Sequence, residues 1–458
     1  KGEQKASLVL KNCQIINVYS GEIEKNDIAI EDGYIIGVGS YQGFLEKDMD
    51  GLYVAPGLID GHVHIESSMV TPPEFARLVV PKGTTTVIAD PHEIANVSGI
   101  AGINFMLDSS ENIPLNVFMM APSCVPATAF EHSGATITKE DIQKLKEHPR
   151  VIGLGEVMDY PAVISGQEDI HQKMEVMKDK MIDGHAPDMI GLDLNAYILS
   201  GITTDHECTM IDSMVERIKK GMYVHLREGS ATKNAKTLLK GVKKDFIHRL
   251  LFCTDDKHPE DIKKEGHINY NVNLAINSGV EPIDAIRIAT MNAATCYGLK
   301  DLGAIAPGKQ ADLIVFKYLN KIDPIYVYKK GKLVAQDSIP LFEFDLDIPK
   351  TVLNTVKFNA YQLNFDMPLA SSKVNVIGII KNNITTEHLI KKVKVKQGHF
   401  FFEPQKQILK LAVIERHHFT QNMGLGLVLG FGKFQGAIAM TIAHDSHNLV
   451  VLGSDDLS

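Results

Sequence analysis

Six side chains between residues 62 and 255 carry the chemistry open to this sequence: His62, His64, Glu156, His185, His206 and Asp255. His62-Val63-His64 ends an apolar β-type run. Residues two apart on a strand point to the same side, so both imidazoles can reach one metal ion. Glu156 follows Gly153-Leu154-Gly155 at the end of another such run. An isolated buried carboxylate costs several kcal/mol, so it needs a partner charge. Two divalent cations bridged by Glu156 would supply it, and a structural salt bridge is the alternative. His185 in Gly184-His185-Ala186-Pro187 and His206 in Asp205-His206-Glu207 add two imidazoles, donors that suit zinc, manganese or iron. Asp255, directly after Cys253-Thr254, can take a proton from activated water and return it to a leaving amine. Its neighbour Asp256 reads as a cap on the next helix. Such a set acts on an electrophilic carbon, that of an amide, an ester or an amidine-like ring.

The elements that must position these groups follow from the hydrophobic pattern. From about residue 53, apolar β-type runs alternate with helical stretches, which indicates βαβ units and a parallel sheet. The strand candidates are Tyr53–His64, Thr84–Pro91, Leu115–Ala121, Val151–Met158, Met181–His185, Ile202–Glu207, Met222–Arg227 and Leu250–Asp255. Pro73–Val80, Lys139–Glu147 and Met210–Lys220 are helical stretches between them. Eight such units predict an α/β fold, a (β/α)8 TIM barrel with its chemistry at the C-terminal strand ends. The polar groups lie at those ends: His62 and His64, Asp90 and His92, Glu156, His185, His206, Arg227-Glu228 and Asp255.

The barrel is expected over residues 55–301. Residues 1–54 and 302–339 are short and strand-like, and together predict a small, discontinuous, sandwich-like β-domain. Ser7–Val18 and Ile28–Val38 are its first strands, with Asp32-Gly33 as a hairpin turn. Residues 340–458 read as a separate α+β domain, whose run Gly424–Gly436 lacks a phosphate-loop pattern and reads as tight turns.

The chain has 458 residues, 44 % hydrophobic and 22 % charged, with a formal net charge of −9. That balance is globular and argues against a general nucleic-acid binder. Five scattered cysteines without a CxxC pair read as a reduced, cytoplasmic protein. No apolar run spans a bilayer and no leader pattern opens the chain, so no membrane partner is expected. The missing initiator Met suggests that the natural start lies upstream.

The sequence resembles the amidohydrolase superfamily through Pro56-Gly57-Leu58-Ile59-Asp60-Gly61-His62-Val63-His64 and Gly303–Leu313. Within it, the chain is similar to the adenine deaminases. The similarity rests on His64–Met69, Ile88–Val97, Gly184–Pro187, Leu194–Tyr197, Arg227–Ala231, Cys253–Asp256 and His444-Asp445-Ser446-His447-Asn448. It runs over nearly the whole chain in the family's order. The resemblance implies that His62 and His64 hold a first metal, Glu156 bridges, and His185 and His206 hold a second. Asp255 would be both proton shuttle and metal ligand, with Glu156 as the second catalytic residue. The implied reaction is attack of a metal-bridging hydroxide on C6 of adenine, giving hypoxanthine and ammonia, in purine salvage or adenine catabolism. The implied cofactors are two divalent ions, manganese first, with iron or zinc as alternatives, and the implied assembly is a homodimer or larger homo-oligomer. Two other readings stay open: a superfamily hydrolase for another cyclic amine or amide, and an inactive, C-terminally shortened metal-binding paralogue. Small zinc deaminases pair H-x-E with P-C-x-x-C. His64-Ile65-Glu66 matches the first half, but no CxxC is present.

Several positions remain divided between roles. Asp90, His92 and Glu93 can bind a further metal, move protons or brace a loop. Arg227, Glu228 and Ser230 can read the purine edge or serve as braces. His417, His418, His444 and His447 can reach the site or stand apart from it. Asn269 stands where the family tends to have aspartate, and Lys433 where it tends to have leucine.

Overall fold

The structure, a computed structural model, describes residues 4–187, 189–381 and 385–456. It divides into two compact units. The first comprises Lys1–Pro91, Asn104–Cys124 and Thr138–Asp347, and the second comprises His92–Ile103, Val125–Ile137 and Ile348–Ser458.

In the first unit, the parallel strands Leu58–Val63, Thr84–Ala89, Asn116–Ala121, Val151–Val157 and Met181–Gly184 form one curled sheet in sequence order. Thr204–Asp205, Tyr223–Arg227 and Leu250–Cys253 form a second. Every residue of Leu58–Val63 and Thr84–Ala89 is buried, as expected of parallel strands covered on both faces. A parallel bridge between Val63 and Asp255 joins the first strand to the end of the last. Between the fifth and sixth strands, the Gly184 amide donates to the Thr204 hydroxyl at 3.0 Å and the Thr203 amide to the Ile182 carbonyl at 3.3 Å. Eight strands thus make a barrel of the (β/α)8 type.

The sixth strand is shorter than the Ile202–Glu207 expected from the sequence. Its ladder stops at Asp205, whose carboxylate Oδ1 accepts the amides of Ala186 and Glu207, both at 3.1 Å. Side-chain acceptance replaces ladder pairing there and sets the direction in which His206 leaves the strand.

A mixed sheet joins Ala6–Asn17, Glu22–Glu31, Tyr34–Gly39, Gly43–Asp48 and Tyr53–Pro56 to Leu313–Tyr318, Lys321–Lys329, Lys332–Gln336 and Ile339–Pro340. Tyr53–Pro56 pairs antiparallel with Leu313–Tyr318. Leu10, Ile15, Ile28, Val54, Leu313 and Val315 pack its core. The Asp32-Gly33 turn has φ of 48° and 82°, the two positive values that a type I′ hairpin requires.

The second unit holds a six-stranded sheet in the order Thr386–Lys392, Lys373–Ile379, Met423–Leu429, Ile408–Ile414, Leu449–Gly453, Ala437–Met440. Beyond Ile348, its described residues form strands and two short 3-10 turns; the α-helical part of the unit is His92–Ile103, from the helical stretch His92–Ser109, which is broken at Gly99 with φ of 57° and ψ of −141°. Gly424 and Gly426, expected in turns, lie inside Met423–Leu429, where they pair antiparallel with Val413 and Leu411. Among the described residues no helix is long and apolar enough to cross a membrane.

Arg217 is fully buried and closes the Asp205 brace. It donates to that carboxylate, and to the Ala186 carbonyl at 2.5 Å. Removing one partner of a buried pair leaves an uncompensated charge. Arg217→Met should therefore lower unfolding free energy by about 3–5 kcal/mol in urea titration. Arg217→Met combined with Asp205→Asn should recover part of the loss. A single variant as stable as the parent would show that the pair does not hold the strand.

Candidate metal centre

His62 and His64 leave the first barrel strand on one side, their Nε2 atoms 3.1 Å apart, with side-chain exposures of 0 % and 3 %. His64 Nδ1 lies 2.9 Å from the Asp90 carbonyl. A carbonyl can only accept, so Nδ1 carries the proton and Nε2 keeps its lone pair for the site. Glu156 ends the fourth strand, and its amide donates to Asp90 Oδ2 at 2.9 Å. Only glycine fits at position 155, because a Cβ there would overlap the Asp90 carboxylate.

The two oxygens of Glu156 face different imidazole pairs. Oε1 lies 3.3 Å from His64 Nε2 and 3.9 Å from His62 Nε2. Oε2 lies 2.6 Å from His185 Nδ1 and 3.1 Å from His206 Nε2. Asp255 Oδ1 stands 3.1 Å from His64 Nε2 and 3.6 Å from His62 Nε2. Its backbone is left-handed, with φ of 59°, a region aspartate tolerates better than most residues. That twist follows the ladder bonds from the Asp255 amide to the His62 carbonyl and from the His64 amide to the Asp255 carbonyl.

The separations of 3.1–3.3 Å suit donors around a common cation, whereas His185 Nδ1 at 2.6 Å is hydrogen-bonded directly to Glu156. Donors each about 2.1 Å from a common ion lie about 3.0–3.4 Å apart at octahedral or tetrahedral angles. The groups His62, His64, Glu156 and Glu156, His185, His206 each offer ligand atoms within 4.8 Å of one another, as do His62, His206, Asp255. One carboxylate shared between two imidazole pairs could hold a cation on each side.

In the metal-free site, protons do part of the work of cations. Burial pushes the Glu156 carboxyl up, but the His185 and His206 imidazoles outweigh it and hold the group well below its usual range. Burial likewise opposes charge on His64, yet Asp255 and Glu156 raise it well above its ordinary value. His185 rises to about 9, its burial overcome chiefly by Glu156. Asp255 is also raised by burial, and the Arg227 guanidinium, His62 and His64 bring it well below the carboxylate range.

The remaining candidates separate by geometry. Arg227 donates from Nη1 to Asp255 Oδ2 at 2.9 Å and grips Glu207 with both terminal nitrogens. Asp90 braces the centre from behind through Glu156 and His64. Glu228 is buried and its carboxyl is raised by desolvation. Ser230 stands away from the cluster, donating to Asp261 Oδ2 at 2.5 Å and accepting the His258 amide at 2.9 Å. His92 and Glu93 belong to the second unit.

Three groups the sequence reading did not single out complete the surroundings. Glu207 Oε1 lies 3.5 Å from His206 Nε2 and 3.7 Å from His185 Nδ1. Asp60 accepts from the Thr254 hydroxyl at 2.5 Å and the Thr254 amide at 3.1 Å, tying the first strand to the eighth. His225 is buried, its ring centroid 6.4 Å from those of both His62 and His206. Its spacing from Arg227, two residues along one strand, was the available signal.

Comparison with known proteins agrees with this geometry. The amidohydrolase family model matches residues 53–334, and the adenine deaminase C-terminal domain model matches residues 383–458. The chain is 50 % identical over 457 residues to adenine deaminase 2 of Carboxydothermus hydrogenoformans, covering 99 % of this chain and 80 % of that protein. It is 49 % identical over 460 residues to the adenine deaminase of Clostridium acetobutylicum, with the same coverage. Among solved structures, an adenine deaminase matches with a TM-score of 0.55 at 18 % identity, covering 72 % of this chain and 99 % of that one. An enamidase matches with a TM-score of 0.55 at 20 % identity, covering 72 % and 96 %. The two structural likenesses show the fold alone.

A pH dependence follows. In the metal-free protein, His185 has its folded value raised from 6.5 to about 9. Its protonation therefore stabilises the fold fully below about pH 6.5, and that contribution is lost as pH rises through about 9. A cation must displace the same proton, so metal affinity runs the other way and increases across that window. Calorimetric titration of metal-free protein with MnCl2 at pH 7, in buffers of different ionisation enthalpy, should show net proton release. Binding without proton release would contradict the ligand role of these imidazoles.

Proposed function

This chain belongs to the amidohydrolase family and, within it, to the adenine deaminases, and we propose that the barrel centre hydrolyses adenine to hypoxanthine and ammonia. The observation that carries the reading is the division of Glu156 between two imidazole pairs with Asp255 opposite, in a chain half identical to such enzymes over its length.

His62 and His64 would hold one cation, His185 and His206 the other, and Glu156 both. When bound, the pair supplies Lewis acidity that makes water nucleophilic near neutral pH. The protein's own groups then handle protons and position. Asp255 is held anionic by Arg227, so at neutral pH it is in the form that accepts a proton from the attacking water. As the C6–O bond forms, the carboxyl holds that proton at Oδ1, on the side facing His62 and His64. It then donates the proton to the exocyclic nitrogen, and the C6–N bond breaks to release ammonia. The second proton of the water ends on the purine ring as C6–O becomes a carbonyl.

Arg227 is a positioning residue. Its two-pronged grip on Glu207 and its single bond to Asp255 fix the carboxylate's rotation, so that Oδ2 is occupied and Oδ1 is left for proton transfer. The buried carboxylate of Glu228 follows directly on the same strand end and is an acceptor suited to a purine N–H.

The ions would number two, manganese in the cell, with iron or zinc as alternative occupants. The assembly would be a homodimer or larger and the compartment the cytoplasm, in purine salvage. Imidazole and carboxylate donors without thiolate support that choice of metals.

Adenine loss followed by ultraviolet absorbance on manganese-loaded protein tests the activity. Rapid loss with stoichiometric ammonia is expected, and metal-loaded protein that leaves adenine intact would overturn the substrate. Asp255→Asn keeps the shape and the left-handed backbone but cannot take the proton. It should retain its metals and lose on the order of 10²–10⁴ in kcat. Near-parental turnover would remove Asp255 from proton transfer.

A further inference from the structure

The second unit contains another imidazole and carboxylate cluster that shares no residue with the barrel centre. His92 and Glu93 open the helix His92–Ser109, and both are 2 % exposed. His444, Asp445 and His447 come from the segment between Ala437–Met440 and Leu449–Gly453. His92 Nε2 lies 3.7 Å from Asp445 Oδ1, His444 Nδ1 3.3 Å from Glu93 Oε1, and His447 Nε2 3.8 Å from Glu93 Oε2. Ligand atoms of His92, His444 and Asp445 all lie within 4.8 Å of one another.

The segment is held independently of this cluster. Arg416 donates to the His447 carbonyl at 2.6 Å, His417 Nε2 pairs with the Ser446 carbonyl at 2.7 Å, and the Ser446 amide donates to Glu131 at 3.1 Å. His444 and His447 also line a cavity of about 580 Å³ in this unit, together with Phe130, Glu131 and His132. The segment is therefore fixed, and its His444 is open to this cavity.

The tautomer sorts the histidines. The Ala443 amide donates to His447 Nδ1 at 3.2 Å, so the ring proton sits on Nε2, on the side of Glu93. His447 thus turns an N–H towards Glu93, 3.8 Å away, and is left out of the ligand set. Direct ion pairs are the competing account of the others, but N–H···O contacts to carboxylates close to about 2.7–2.9 Å. The separations of 3.3 and 3.7 Å are longer than that, and the shorter lies within the span of donors around a common ion. Two carboxylates and two neutral imidazoles also leave a formal charge that one divalent cation neutralises.

We propose that His92, His444 and Asp445, with Glu93 as fourth donor, bind a divalent transition-metal cation of the manganese, iron or zinc class, which ties the segment carrying His444–His447 to the start of the helix. This site does not depend on the adenine deaminase reading.

The test uses the full chain, saturated with MnCl2, dialysed against metal-free buffer and analysed for manganese per chain. His444→Ala should lose one equivalent relative to the parent, whatever the barrel retains. Asp445→Asn removes a ligand charge with almost no change of shape, and should lose the same equivalent while circular dichroism and thermal melting confirm the fold. His62→Ala reports separately on the barrel. If it loses metal and the His444 and Asp445 variants do not, the barrel reading stands and this proposal falls. If folded Asp445→Asn keeps the parental content, the proposal is likewise overturned. Loss of one equivalent in Asp445→Asn, additive with the loss in His62→Ala, supports it.

Discussion

The carboxylate of Glu156 is buried at 3 % exposure and must be neutralised from both of its oxygens. No solvent reaches it to do so, and burial alone would drive it to its neutral form. The sequence supplies four imidazoles, two to each oxygen. Without metal, protons shared among His64, His185 and their partners keep the group ionised. On the proposed reading, the same imidazoles would give up those protons and turn their lone pairs to cations.

Other buried acids of the barrel do different work. Asp60 spans the first and eighth strands through Thr254. Asp205 holds the amides on either side of the fifth and sixth strand ends. Asp183 accepts from Thr204 at 2.8 Å and from Tyr297 at 3.0 and 3.1 Å. Sheet pairing is interrupted between the fifth and sixth strands, and Asp183, Asp205 and Thr204 stand where backbone bonds would otherwise carry the closure. Arg217, on the helix Ile211–Lys219, neutralises Asp205, and Arg227 neutralises Glu207 and Asp255.

The barrel was legible because its signal is local. Apolar runs of strand length ended in histidine or acid at intervals set by the βαβ unit, and HxH on a strand needs no distant partner to be read. Asp32-Gly33 was legible for the same reason. Glu207, Asp60 and His225 were not, because each acquires its role from residues far along the chain: Arg227 for Glu207, Thr254 for Asp60, Tyr297 and His206 for His225. Ser230 read as a possible substrate contact because it follows Arg227-Glu228, yet its hydroxyl is taken up by Asp261 and the His258 amide. Gly424 and Gly426 misled in the opposite sense. Glycine suggests a turn, but antiparallel pairing with Ile408–Ile414 outweighs that local preference.

Asp90-Pro91-His92-Glu93 shows where reading a motif as one object fails. Pro91 offers no amide to a ladder, so the second strand cannot run past Asp90, and the chain turns at once into a helix. Asp90 stays with the barrel, its carbonyl fixing the tautomer of His64 and its carboxylate fixing the amide of Glu156. His92 and Glu93 pass into the second unit and face His444, Asp445 and His447. Four consecutive residues thus serve two clusters with separate donors. The proline between them does the dividing, because it ends one regular element where the next must begin. The resemblance in His444–Asn448 and the resemblance in Ile88–Val97 are in that sense one constraint, since each segment supplies half of the second cluster.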